Sequence, residues 1–585
     1  MVPIKKSIKI WFLVSISILV LFAKTGSVLA KEQLLAIIND PEDQIVEKIE
    51  KIAKGVMKRG NKKSQESLKN QSKNLSENSG SNEQIMNEIQ VKEKNMLSEG
   101  NSEKLKDLQH IPLITMDGDD SKDLDQALYL KKTRNGGYKV YYAIADASYF
   151  VEENTELDRQ AKSKLSTTYL PHKSFPMLPR ELSEGLTSIN EGEPRRALVA
   201  IITLDKDGNK IKQKFTYAMV KSHKKTSYRA VQEFFDNKQS GDLANKEYTS
   251  ALVALKEVGE KRIALSKKRG SIPFTGKEMR LVKKNNPLDK GSVWNIVMND
   301  HYQTEEWNAQ ISIMVNNAVG EFIHDKKFKS LHRAQSSPEI ERFVELCEKL
   351  INLDKNQERV NALCVEIKKM NRENIIQKLS EYVSKLDIEN SEMDKILVSQ
   401  VLSVNGRAEY SDENTFHDGL KINCYDQFTA PMRRYSDIVI HRIVKALLQG
   451  KEPPYQEKGA LKQLAKNVNM SADKEKSIKR EIDHFAHNLI LKNNESKILT
   501  ARVYSVGPDN VNVVFDNFPF QYRFKFKDIE GMNIGKQKNN RKQQQNFKQQ
   551  SSVQQKFKIG DKVNINLLNV DPENDRVRIA IQSEG

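Results

Sequence analysis

The chain has 585 residues, 38 % hydrophobic and 30 % charged, with 95 basic side chains against 78 acidic ones for a net charge of +17. That length implies roughly two to four folding units, and the basic surplus favours a polyanionic partner, either nucleic acid or an anionic membrane face. The composition excludes a collagen, a coiled-coil rod and a multi-span membrane protein, and three cysteines exclude a disulfide scaffold.

Residues 1–30 read as a targeting segment. Lys5, Lys6 and Lys9 precede an apolar run at 10–23, and small residues at 27–30 lead to Lys31. The run is about 14 residues, short of the ~20 that span a bilayer. A cleaved export signal fits this pattern, with an uncleaved membrane anchor through residues 10–23 as the alternative. The segment points to a secretory, periplasmic or organellar destination, or to the cytoplasm if it is not used. In 31–58, Ile45, Ile49, Ile52 and Val56 recur at helical spacing. From 58 to about 106 the chain is rich in Lys, Asn, Ser, Glu and Gln, with few large apolar residues. Such a stretch reads as a flexible linker, so 31–107 is taken as helix plus disordered linker.

The texture changes at residue 111. A short apolar run, 111–116, reads as a strand and leads into DGDDSKDLDQA at 117–127, which places five aspartates within nine residues. So many like charges in so short a stretch repel one another unless a cation neutralises them, and hard oxygen ligands select Mg²⁺, Mn²⁺ or Ca²⁺. The alternative is a solvated acidic turn. An EF-hand is excluded because no Glu stands at the twelfth position.

Three further blocks follow: YYAIADASYFV at 141–151, the stretch 165–197 opening LSTTYLP, and FTAPMRRYSDIVIHR at 428–442. With the aspartate cluster, these resemble the catalytic RNB domain of the ribonuclease II/R family, collinearly over 108–448. The resemblance implies a metal-dependent 3′→5′ exoribonuclease that degrades single-stranded RNA to nucleoside 5′-monophosphates without sequence preference. It implies no nucleotide cofactor and a monomer. Asp117, Asp123 and Asp125 match three of the family's four active-site aspartates. The fourth position is Gln126 here, a neutral oxygen donor in place of a carboxylate. The metal set is therefore Asp117, Asp123, Asp125 and Gln126, for Mg²⁺ or alternatively Mn²⁺.

The same resemblance assigns Asp125, Arg433 and Tyr228 to catalysis, with Arg433 gripping phosphate. It assigns Tyr169 and Phe274 to RNA binding by stacking on bases. A second departure is Ala309-Gln310, where many relatives carry a Glu pair; Glu305-Glu306 stands one turn earlier. These departures sustain an alternative, a catalytically silent RNA-binding protein on the same fold. His332 and His441 are read as structural. No CxxC pair exists, which argues against a thiolate zinc site, and Cys347, Cys364 and Cys424 are expected to be buried free thiols.

Residues 335–403 carry apolar residues at three- and four-residue spacing and read as helices, and 449–497 as a helical extension. From 498 to 585 the pattern turns to five short alternating strands separated by Gly, Pro and Asp turns, which suggests a small OB-like barrel of the S1 type. A basic insertion near 535–558 interrupts it. The fold class expected is thus multidomain α+β: a mixed α/β RNB catalytic domain, then a small all-β barrel, preceded by a signal or anchor and a linker.

Overall fold

The computed structural model describes residues 32–40, 43–59, 79–98, 105–271, 278–285, 292–299, 302–369, 372–387, 391–518, 520–530 and 557–583. The expected signal or anchor at 1–30, Phe274, and nearly all of the basic insertion lie outside these residues. No helix among the described residues is long and apolar enough to cross a membrane.

The central unit is built on a six-stranded sheet. Its order is Lys106–Asp107, Lys210–Ser227, Leu113–Asp117, Gln126–Lys132, Tyr138–Ala145 and Pro194–Leu204. The 18-residue strand Lys210–Ser227 serves two partners. Its first part pairs antiparallel with Pro194–Leu204 and its last part runs parallel to Leu113–Asp117, so five of the strands close on themselves. The strand Tyr138–Ala145 is buried almost throughout, with Val140, Tyr142, Ala143 and Ile144 at zero exposure. That burial explains its near-continuous apolar run. Helices Thr249–Lys268, Gln303–Asp325 and Tyr435–Leu448 join the same core through Leu255, Val258, Ile311, Val315, Ile438 and Val439.

Two expectations for the N-terminal region are corrected. Within 31–58 a strand, Glu32–Asp40, precedes the helix Gln44–Lys58. The strand pairs antiparallel with Ser292–Asn299, which in turn pairs with Glu278–Asn285. The helix buries Ile45, Ile49 and Val56 against Ile478, Ile482 and Phe485 of the long helix Ala460–Asn493. The second correction concerns the linker: Ser79–Ser98 is a 20-residue helix. Ile85 and Ile89, one turn apart, are each 2 % exposed within the central core. The Glu88 carboxylate accepts from the backbone N–H groups of Glu156 and Leu157, both at 3.1 Å, capping the helix Glu156–Lys164 from outside.

Between Ile340 and Ser403 stand four helices, Ile340–Leu353, Gln357–Lys368, Arg372–Ser384 and Glu392–Ser403, with a core of their own. Cys347 and Cys364, on the first two, are joined as a disulfide with Cα atoms 5.7 Å apart; Cys424 is the free, buried thiol. The free-thiol expectation thus fails for the pair. The helices bring together positions 17 apart in sequence, a proximity that spacing alone does not reveal.

The C-terminal region is a five-stranded antiparallel sheet ordered Gln521–Lys525, Asn510–Phe515, Ile498–Val506, Lys562–Asp571 and Arg576–Ser583. A bridge between Ile529 and Ile579 brings its two edges together. Val503, Val513, Phe515, Ile565 and Ile579 fill its interior and share a core with the N-terminal helix Gln44–Lys58.

Candidate active site

The sheet topology explains why the aspartates meet the distant blocks. The parallel pairing of Leu113–Asp117 with the end of Lys210–Ser227 sets Asp117 opposite Ser227. Ser227 caps the next helix by accepting from Ala230 N–H, so Tyr228 starts its helix beside Asp117. Asn308, on the helix Gln303–Asp325, donates its amide to the Tyr228 hydroxyl at 3.0 Å. A second junction brings in the arginine block: Thr167 N–H donates to Arg433 O at 3.1 Å and Tyr435 N–H to Leu165 O at 2.9 Å. Arg433 is thereby carried alongside the segment that bears Tyr169.

Asp125 sits at this meeting point and is 5 % exposed. Its Oδ1 accepts from Met432 N–H at 2.9 Å, and its Oδ2 lies 3.6 Å from Arg433 Nε. Burial pushes its carboxyl up to about 7, with Arg433 acting in the opposite direction and Asp123 adding to the rise. Burial also raises Asp117, whose Oδ1 accepts from Gly118 N–H at 2.7 Å and from the Ser121 hydroxyl at 3.0 Å. Asp123 Oδ2 accepts from the Tyr169 hydroxyl at 3.0 Å, and the Tyr169 ring is half exposed at 49 %. Burial raises both Tyr169 and Tyr228, and the nearby Asp123 and Asp117 respectively add to it.

The two arginines of the APMRRY block have separate tasks. Arg434 forks onto Asp437 with contacts of 2.9 and 2.7 Å and is a structural ion pair. Arg433 remains half exposed beside Asp125. His332 is buried against Asp426 at 2.5 Å and His441 against Phe428 O at 2.8 Å, both structural.

Each of the four residues expected at the metal is turned to a protein donor. The Gln126 carbonyl oxygen accepts from the Tyr142 hydroxyl. Among the described residues, no group of three or more His, Cys, Asp or Glu side chains is arranged to hold a metal ion. The chemistry of the donors nonetheless fits a divalent cation. Asp117 and Asp125 are hard oxygen ligands whose raised values mark buried negative charge without full compensation. Mg²⁺ is commonly bound by one or two carboxylates plus substrate phosphates rather than by an all-protein cage.

Sequence reasoning missed several members of the site. Glu475, on the helix Ala460–Asn493, is raised by burial while Arg433 and Arg434 pull it down. No local motif marks it; it stands 42 residues beyond Arg433 and reaches the site only through the fold. Ser188 locks the aspartate loop, since its Oγ accepts from Leu124 N–H at 3.0 Å and lies 2.8 Å from Lys122 O as donor. Asp119 pairs with Arg229 at 3.0 Å and ties the loop to the Tyr228 helix.

Residues 105–450 match the RNB domain. The chain is 27 % identical over 419 residues to ribonuclease R of Mycoplasmopsis pulmonis, covering 70 % of this chain and 55 % of that protein. It is 31 % identical over 353 residues to ribonuclease R of Escherichia coli K12, covering 60 % and 41 %. The chain thus spans about half the length of the curated relatives it matches. Its fold is shared with Mycoplasma genitalium RNase R solved with ribose-methylated single-stranded RNA, at a TM-score of 0.70 and 24 % identity, covering 84 % of this chain and 74 % of that one. The chain belongs to the RNB-domain family.

Proposed function

We propose that this RNB-family chain is a metal-dependent hydrolase that shortens single-stranded RNA from its 3′ end and releases nucleoside 5′-monophosphates. The observation that carries this reading is the setting of Asp125: a buried carboxylate fixed by Met432 N–H, faced by the half-exposed guanidinium of Arg433. The ribonuclease R relatives support it.

Asp117, Asp123 and Asp125 would hold Mg²⁺, with Mn²⁺ as a substitute and the Gln126 oxygen as a fourth, weaker donor. A divalent cation held there would supply Lewis acidity, toward a phosphoryl oxygen and toward water. The chain's own groups do the rest. Arg433 can fork onto phosphate oxygens and offset the charge that develops at phosphorus. Tyr169, anchored through its hydroxyl to Asp123, offers an exposed ring face to a base. Tyr228, held by Asn308, borders the scissile end beside Asp117. Stacking and phosphate contacts read no base edge, so cleavage is independent of sequence. The C-terminal sheet is read as an OB-like module that guides RNA, and residues 10–23 as an export or anchoring segment.

The test is incubation of end-labelled poly(A) with the full chain and Mg²⁺ or Mn²⁺. Progressive release of mononucleotides is expected. Retention of the RNA on a gel without any mononucleotide, under both metals, would identify a silent RNA-binding protein instead.

A further inference from the structure

The helix Thr249–Lys268 carries a feature that the catalytic reading does not use. Arg262, Ser266 and Arg269 follow one another at four- and three-residue spacing and so share one face of the helix and its C-terminal cap. Arg262 is 8 % exposed and Ser266 9 %. Among the described residues, the one hydrogen bond of the Arg262 guanidinium is a long contact to Gly208 O at 3.4 Å, and its Nε has no partner. The Nε of Arg269 is likewise buried without a partner, and no carboxylate among the described residues forms an ion pair with either arginine. Burial, and then the like charge of Arg269, pull Arg262 down to about 10; burial also lowers Arg269.

A buried arginine is ordinarily paired, because an isolated buried charge is costly. Among the described residues the other two buried arginines obey that rule, Arg442 with Asp158 and Arg196 with Asp146, and the partly buried Arg434 has Asp437. Arg262 and Arg269, two helical turns apart, are cations to which the described residues supply no anion. Their surroundings are the turn at Gly208, Ile376 beside Gly270, and Gly419, whose carbonyl accepts from Ser271 at 2.8 Å. None of these belongs to an element that carries Asp117, Asp123, Asp125, Tyr169 or Arg433.

We propose that Arg262 and Arg269 form a phosphate-binding site, filled by an external phosphate group that supplies the missing counter-charge. Two planar guanidiniums on one face present paired N–H donors that match the oxygens of a phosphate mono- or diester. Arg269 closes the helix and is the more exposed of the two, so the ligand enters from that end. The phosphate comes either from RNA that extends beyond the catalytic cleft or from a free phosphate or mononucleotide.

The test uses the full chain, inorganic phosphate, and RNA oligonucleotides of two lengths. In phosphate-free buffer, Arg262→Met is expected to unfold at a higher temperature than the parent, because it removes an unpaired buried cation. Phosphate is expected to raise the unfolding temperature of the parent and to do so far less in Arg262→Met and Arg269→Gln. Arg269→Lys, which keeps the charge and loses the fork, should fall between. Should Arg262→Met fail to fold, the two Arg269 variants still decide. In an Asp125→Asn background, Arg269→Gln should bind long RNA about tenfold more weakly while short RNA is unaffected, the loss of one charge-assisted contact; this assigns the site to RNA. Unchanged binding of both lengths, together with a lost phosphate response, assigns it to free phosphate. A full phosphate response in both Arg269 variants overturns the proposal. The phosphate arm needs no nuclease activity, so its failure leaves the proposed function standing.

Discussion

Met432 donates its backbone N–H to Asp125 Oδ1 at 2.9 Å across 307 positions of sequence. The donor is a main-chain group, so it fixes the carboxylate whichever side chain occupies position 432. The next residue, Arg433, reaches the other oxygen. Asp125 titrates at about 7 here, chiefly through burial, against 3.8 as its ordinary value. Without metal, the folded chain therefore holds a proton between about pH 4 and 7 that the unfolded chain has released. Stability falls as pH rises through that window and is level above it. Asp125→Asn removes the slope and raises stability above pH 7 by on the order of 2–4 kcal/mol, at about 1.4 kcal/mol per pKa unit. Unfolding followed across the window in metal-free buffer checks this, and parallel profiles for variant and parent would refute it. The same variant should lose cleavage by at least about a hundredfold while still binding RNA, the size of effect expected when a transition-state contact is removed.

On the proposed reading protons and metal would compete for this carboxylate, so the Mg²⁺ requirement should depend on pH. Below about pH 7 the apparent metal affinity falls as Asp125 takes up its proton. Titrating Mg²⁺ against activity at several pH values measures this. A half-saturating concentration that does not move between acid and neutral solution would remove Asp125 from the metal set.

Tyr169 combines two features that substitution can separate. Its ring is half exposed and its hydroxyl is bonded to Asp123 at 3.0 Å. Tyr169→Ala should raise KM by the loss of one stacked base, about 1–3 kcal/mol. Tyr169→Phe keeps the ring and frees Asp123, so it should leave KM near that of the parent and change kcat instead. Equal KM values for the parent and the alanine variant would exclude stacking at this residue.

The amide at position 126 is already engaged by the Tyr142 hydroxyl. Gln126→Asp replaces it with a shorter, charged acceptor next in the chain to Asp125, whose value is already raised. The expected result is an unfavourable charge without metal and tighter binding with it: a lower unfolding temperature in chelator, and saturation at several-fold less Mg²⁺. If neither changes, the amide does not set the metal requirement.

The parts of this site that were legible in the sequence are those whose chemistry is local. An apolar run leading into crowded aspartates predicts a strand with the carboxylates at its end, and the strand Leu113–Asp117 ends on the first of them. The APMRRY block likewise named Arg433, although only the fold separates it from Arg434, which Asp437 claims. What escaped depends on partners far away in the chain. The helix Ser79–Ser98 has an average composition like that of a linker; two isoleucines one turn apart and the Glu88 carboxylate hold it in place, and none of these gives a periodic signal strong enough to compete with its Lys- and Asn-rich background. The strand Glu32–Asp40 finds its partner in Ser292–Asn299, more than 250 positions on. Glu475 lies on a helix whose sequence reads only as amphipathic.

The disulfide allows the four-helix insert to be probed apart from the catalytic core. Cys347 and Cys364 close a short loop, 17 positions apart, between two helices that share Leu346, Leu350, Val360 and Leu363 as core. Linking ends this close in sequence contributes about 3 kcal/mol in the chain-entropy account. That contribution acts on the insert, whose core is separate from the one that holds Asp117 and Asp125. Reduction, or Cys347→Ser with Cys364→Ser, should therefore lower the unfolding temperature of the insert while cleavage below that temperature continues at the parental rate. Hydrogen exchange resolves the two regions: faster exchange confined to 340–403 is the expected pattern. A uniform rise across both cores, or parental protection throughout, would show that the bridge does not act locally on the insert.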